Sequence, residues 1–152
     1  MKKRTFAGIP AKYANEKTAT ISLTSIPYDG TSTWGKGANK GFDAFLEAAE
    51  NMEIYDIEPD SEVYKKGIFL TEPILEASSA EAMFHATYNK TKALLKTDKF
   101  PTFFGGEHSV SIGIIKAFYD KYDNLTVLQL DAHTDLRPSY EGTPYNLSLI
   151  HI

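Results

Sequence analysis

Apolar positions recur along this chain in two periods, and the switches between them mark out its elements. Ala19 to Ile26 is rich in strand-forming residues with partial alternation, and Pro27-Tyr28-Asp29-Gly30 then supplies turn formers, so a buried strand opens the fold. Phe42, Phe45, Leu46 and Ala49 share one helical face and predict a short amphipathic helix over Phe42 to Asn51. Met52 to Ile57 alternates apolar and mostly acidic side chains, which predicts an edge strand with one wet face. A further short strand is expected at Gly67 to Leu70, within an otherwise loop-like stretch. The clearest helix starts at Ser78 and Glu81, paired as a capping box, carries the stripe Phe84, Tyr88, Thr91, Leu95, and runs to about Thr97. His85 lies on the opposite face with Asn89 and Lys92, which makes it a solvated histidine.

The last third of the chain reads as strand, turn, helix, strand. Phe100 to Phe104 enters Gly105-Gly106-Glu107-His108-Ser109, and a helical stripe of Ile112, Ile115, Phe118 or Tyr119, and Tyr122 follows, with Ser109 expected to cap it. Leu125 to Leu130 is then a second apolar run. A βαβ unit implies a right-handed crossover and a parallel pair. Neighbouring strands ending at Phe104 and Leu130 are therefore expected. The Gly-containing stretch from Thr31 to Gly41 repeats no phosphate-binding spacing; its composition favours a connector over a wall of a site, with Trp34 covering a core edge.

Chemistry concentrates where those two strands stop. Asp131, His133 and Asp135 stand at every second position after Leu130, so a continued extended backbone would send all three side chains the same way. Parallel neighbours would bring His108 to the same edge, where open α/β sheets hold their ligands. A hydrogen-bonded turn around a satisfied histidine is the other reading of Asp-x-His-x-Asp. The Gly-Gly-Glu-His-Ser turn one strand earlier favours a metal site. Two imidazoles and two carboxylates form a nitrogen and oxygen shell without sulfur, suited to manganese, zinc or iron(II).

Composition narrows the setting. The 152 residues are 42% hydrophobic with a formal charge of −4, enough for one globular unit with a core and without a basic field for nucleic acid. Cysteine is absent, so thiolate ligands and disulfides play no part. No apolar run has membrane-spanning length, and the first residues lack a signal-peptide apolar stretch. A cytoplasmic protein that engages neither nucleic acid nor membrane is expected.

Gly105-Gly106-Glu107-His108-Ser109 and Asp131-Ala132-His133-Thr134-Asp135 resemble the first two metal-binding motifs of the ureohydrolases, the arginase and agmatinase family. Pro27 to Ala38, Leu125 to Leu130 and Arg137 to Gly142 are similar to bacterial agmatinases, and the resemblance extends from Met1 to about Asn146. It implies a three-layer α/β/α fold with a mainly parallel sheet, cut to its N-terminal half, over residues 1–146. It also implies two manganese ions: His108 and Asp135 on one, His133 on the other, Asp131 bridging. Water activated between them would attack a guanidinium carbon, most simply that of agmatine, giving urea and putrescine. Arginase, guanidinobutyrase or formimidoylglutamase activity is the close alternative, and a non-catalytic metal-binding fragment the remote one. Glu107 stands where many relatives have Asp and is expected to support the ligands or cap the turn. A trimeric or hexameric parent is implied as well.

Two departures bear on these expectations. Gly41-Phe42 replaces the family's frequent Gly-Pro in a loop. After Asn146 the family's catalytic-type His, a third motif with two aspartates and a later Glu do not follow. Leu147 to Ile152 matches no family element, and its codons could be those of transposase-adapter DNA. Residues 147–152 are thus expected to be non-native, with His151 an accident and the chain as written inactive.

Overall fold

Ile21–Ile26 forms β1, whose residues from Ser22 to Ile26 are all buried, so the strand lies between two covered faces. Gly41–Ala49 (α1), Ile68–Leu70 (β2), Ala80–Leu94 (α2), Phe100–Gly105 (β3) and Val110–Tyr119 (α3) follow. The computed structural model describes residues 4–135 and residue 145. Expectations that fall on Met1 to Lys3, on Arg137 to Gly142, or on the tail from Leu147 to Ile152 lie outside the described residues.

The sheet has the order β2-β1-β3, and both pairings are parallel. Ile21 pairs with Ile68 on one side and Phe100 on the other, and Ile26 ends level with Gly105. Consecutive residues of β3 show the layering. Phe103 packs into the cluster of Ile26, Tyr28, Ile74, Met83 and Val110, on the side of α2 and α3. Phe104 points the other way, with its ring 4.6 Å from that of Phe45 and 5.6 Å from that of Phe42, both on α1. Helices thus cover both faces of a parallel sheet, the three-layer α/β/α arrangement.

Helix α2 begins one residue later than the capping-box spacing predicts. Ser79, with extended backbone, accepts the Ala82 N–H at 3.0 Å, while Ser78 bonds Glu76. The buried stripe is correspondingly Met83, Thr87 and Thr91, continued by Leu95, with Phe84 and Tyr88 at its half-exposed margin. Thr87 is tolerated inside because its hydroxyl donates to the Met83 carbonyl at 3.0 Å. His85 is exposed, as the helix period requires.

Gly113 sits where α3 crosses α2. A Cβ there would lie 2.2 Å from Thr87 Oγ1 and 2.5 Å from the Phe84 carbonyl oxygen. Gly113→Ala would gain about 1 kcal/mol of helix propensity. Overpacking against a backbone oxygen costs roughly 1–3 kcal/mol and is harder to relieve. The expected result is a net loss of up to about 2 kcal/mol in urea unfolding. A more stable variant would show that the crossing is looser than this.

Two predicted strands are not formed. Met52 to Ile57 makes only an isolated bridge, Asp56 with Ser61, and Met52, Tyr55 and Ile57 are exposed. Leu125 to Leu130 joins no ladder, and Leu128 and Leu130 are 81% and 89% exposed. The expected adjacent pair of β3 with this run is therefore corrected: among the described residues β3 has β1 as its only neighbour. Alternation and apolarity make a segment fit for a strand, but hydrogen-bonding partners make it one. Among the described residues no helix is long and apolar enough to cross a membrane.

Candidate metal centre

The parallel β1–β3 pair delivers two loops to one edge of the sheet, and backbone hydrogen bonds lace them together. Gly106 N–H donates to the Ile26 carbonyl at 2.8 Å, and Glu107 N–H to the Tyr28 carbonyl at 3.0 Å. Only glycine fits this approach, since a Cβ at Gly106 would fall 1.9 Å from the Tyr28 oxygen. The turn then carries His108 out over the strand ends. Its carbonyl is held by Ser111, through N–H at 3.0 Å and hydroxyl at 2.7 Å.

Glu107 is 6% exposed and is the anchor of this turn. Its Oε1 accepts from the Ser109 hydroxyl and the Thr31 hydroxyl, both at 2.7 Å, and its Oε2 accepts from Ser109 N–H at 2.9 Å. Ser109 was expected to cap α3 but makes no capping bond; its backbone is already helical and its hydroxyl is committed to Glu107. Burial, and next the nearby Glu107 carboxylate, push the Tyr28 phenol above its ordinary range.

His108, Asp131 and Asp135 come together, each offering a ligand atom within 4.8 Å of the others. His108 Nε2 and Asp135 Oδ2 are 3.6 Å apart. Both atoms are buried without a hydrogen-bond partner. Such orphaned atoms are expensive unless something unites them. Two donors each about 2.0–2.2 Å from a shared divalent ion stand roughly 3–4 Å apart, so this pair fits a cation. Asp135 has φ 51°, a left-handed conformation that aspartate tolerates better than most residues and that aims its carboxylate back toward His108. Asp131 accepts the His133 N–H at 2.9 Å, and chiefly this bond holds its carboxyl below the usual range, ready as an ionised ligand.

His133 is placed differently from the other three. The backbone bends at Ala132 and His133 instead of remaining extended, which corrects the argument that alternate side chains converge. The His133 side chain is 83% exposed, with Nδ1 3.7 Å from Asp131 Oδ1, and stands outside the group of three.

The loop after β1 belongs to this neighbourhood, against the expectation of a plain connector. Asp29 accepts from Ser32 and from Gly37 N–H, which closes the loop on itself and lowers its carboxyl pKa, while Thr31 reaches Glu107. Trp34 at its tip is fully exposed and covers no core edge. Thr31 escaped sequence reasoning because it and Glu107 are 76 positions apart, and no spacing rule links them.

Comparison with known proteins agrees with this geometry. The arginase family model matches residues 19–150. The chain is 35% identical over 129 residues to an agmatinase of Bacillus cereus, and 30% identical over 135 residues to an N(1)-aminopropylagmatine ureohydrolase of Synechocystis sp.. Each alignment covers 84% of this chain and 44% of the relative, so the chain spans less than half the length of these proteins. The crystal structure of the agmatine ureohydrolase of Thermoplasma volcanium superposes with a TM-score of 0.77 at 26% identity, over 92% of this chain and 47% of that one. The family match spans the parallel sheet, the histidine turn and the aspartate-bearing loop of this chain, and the chain belongs to the arginase family.

Proposed function

We propose that His108, Asp131 and Asp135 hold a divalent cation, manganese by preference, in a hydrolase that cleaves a guanidino C–N bond. The observation that carries this reading is the facing pair of orphaned atoms, His108 Nε2 and Asp135 Oδ2, in a member of the arginase family. The donor set is nitrogen and oxygen without sulfur, which suits manganese better than a thiophilic ion. When bound, the ion would supply Lewis acidity and ease the deprotonation of water near neutral pH. His108 presents an imidazole nitrogen from a turn fixed on both sides, and Asp131 and Asp135 present carboxylates whose charge the ion would balance.

Agmatine is the substrate we favour, with urea and putrescine as products, because relatives named agmatinase align with 84% and 86% of this chain. The Synechocystis relative supports an agmatine with a longer amine arm as the second reading. In the same proposal a second manganese takes His133 as ligand, and the full-length protein is a cytoplasmic homo-oligomer. The test is urea release by the full-length gene product offered agmatine, N(1)-aminopropylagmatine, arginine or guanidinobutyrate with manganese. Agmatine should be turned over fastest. No urea from any of the four would sink the reading, and arginine as the preferred substrate would correct it to arginase.

The ligand assignment makes its own prediction. Asp131→Ala should cost more bound manganese than Glu107→Ala, because Asp131 lies in the ligand group while the Glu107 oxygens are occupied by Thr31 and Ser109. Elemental analysis of both variants at one pH, which keeps proton competition constant, decides the point. Equal metal content would contradict the assignment.

A further inference from the structure

The Glu107 carboxylate is nearly inaccessible, and among the described residues no lysine, arginine or histidine pairs with it. Three neutral donors satisfy it. Two of them, from Ser109, are local and shape the turn around His108. The third, Thr31 Oγ1 at 2.7 Å, is among the described residues the only side-chain bond that ties this turn to the loop after β1. Buried polar groups with their partners complete hold one rotamer, and the same groups lacking one partner become costly and move. Glu107 and Ser109 flank His108, so a shift of this carboxylate moves the backbone that aims the imidazole. The loop is closed on itself around Thr31, since Asp29 accepts from the Ser32 hydroxyl and the Gly37 N–H. Thr31 is therefore held from its own side and can act as a fixed point.

We propose that Thr31 is a positioning residue of the cation site: through Glu107 it fixes the turn that carries His108, so the loop after β1 is part of the site without supplying a ligand. The inference rests on the cation site proposed above and adds a third element to it. Losing a supporting hydrogen bond of this kind typically weakens metal affinity 10–100-fold.

The experiment titrates manganese into the 152-residue chain and into Thr31→Val, Thr31→Ser, Glu107→Gln and the double variant Thr31→Val/Glu107→Gln, with urea unfolding of each. Thr31→Val keeps the side chain's shape and should weaken binding about 10-fold, while Thr31→Ser retains most of the affinity. In the Glu107→Gln background Thr31→Val should add little, since its effect runs through that carboxylate. Unchanged affinity in Thr31→Val, with or without a lower unfolding midpoint, would make the hydroxyl merely structural and overturn the proposal. Full additivity in the double variant, or failure of serine to rescue, would overturn it too. Absence of manganese uptake by the unsubstituted chain is a separate outcome: it would remove the cation site itself, and the positioning role with it.

Discussion

His108→Ala in the 152-residue chain is expected to weaken manganese binding by at least about 100-fold, more than the loss of a supporting residue produces. The imidazole is the only nitrogen in the group of three, and its Nε2 faces the buried Asp135 oxygen across 3.6 Å. Removing it leaves only the Asp131 and Asp135 carboxylates in the group of three. Asp135→Ala should match this loss, because it deletes the other orphaned atom. His133→Ala is the informative contrast. That side chain is 83% exposed and outside the group, so in this chain its loss should change the affinity of the His108 site only a few-fold. Calorimetric titration of the three variants at one pH checks the ranking. Equal losses for His108 and His133 would mean that both imidazoles share one ion, as convergence from an extended strand would require.

Gly106→Ala should be the most destabilising single substitution at the site. The added methyl would sit 1.9 Å from the Tyr28 carbonyl oxygen and 2.8 Å from its carbon, well inside contact distance on rigid backbone. Relief requires the two loops to part. That would break Gly106 N–H to Ile26 and Glu107 N–H to Tyr28, two buried backbone bonds worth about 1 kcal/mol each, besides the steric strain. A loss of at least about 3 kcal/mol is expected, a large part of the 5–15 kcal/mol typical of a domain. Gly35→Ala, where a Cβ would meet nothing, is the control and should be near neutral. The measurement is the urea midpoint at unchanged slope. Similar midpoints for the two variants would show that the loops are not packed this closely.

Much of this arrangement was legible in the sequence because the signals were local. The strand at Ile21–Ile26, the strand at Phe100–Gly105 and the helices after Ser79 and Ser109 follow from periodicity and turn residues within a few positions of each element. The candidate ligands were legible too, since His, Asp and Gly at short fixed spacings after an apolar run are chemically conspicuous. The small error at the start of α2 has a local cause: Ser78 and Ser79 are both competent caps, and only the backbone conformation of Ser79 chose between them.

Tertiary structure decided what depends on partners distant in sequence. Leu125 to Leu130 has the composition of a buried strand, yet no neighbour among the described residues offers it a ladder. Met52 to Ile57 alternates like an edge strand but has only Ser61 to bridge to. Gly113 and Thr87 became core residues because two helices cross there, which no helical period contains. His133 was separated from His108, Asp131 and Asp135 by a bend that a two-residue alternation assumes away. Thr31 joined the site through a hydrogen bond spanning 76 positions. Sequence by itself determined which segments could form elements and which side chains could bind a cation, because propensity and donor chemistry belong to residues. Which strands pair, which ligands meet and what holds them in place belong to the fold, because each needs two distant stretches of chain brought within a few ångströms of one another.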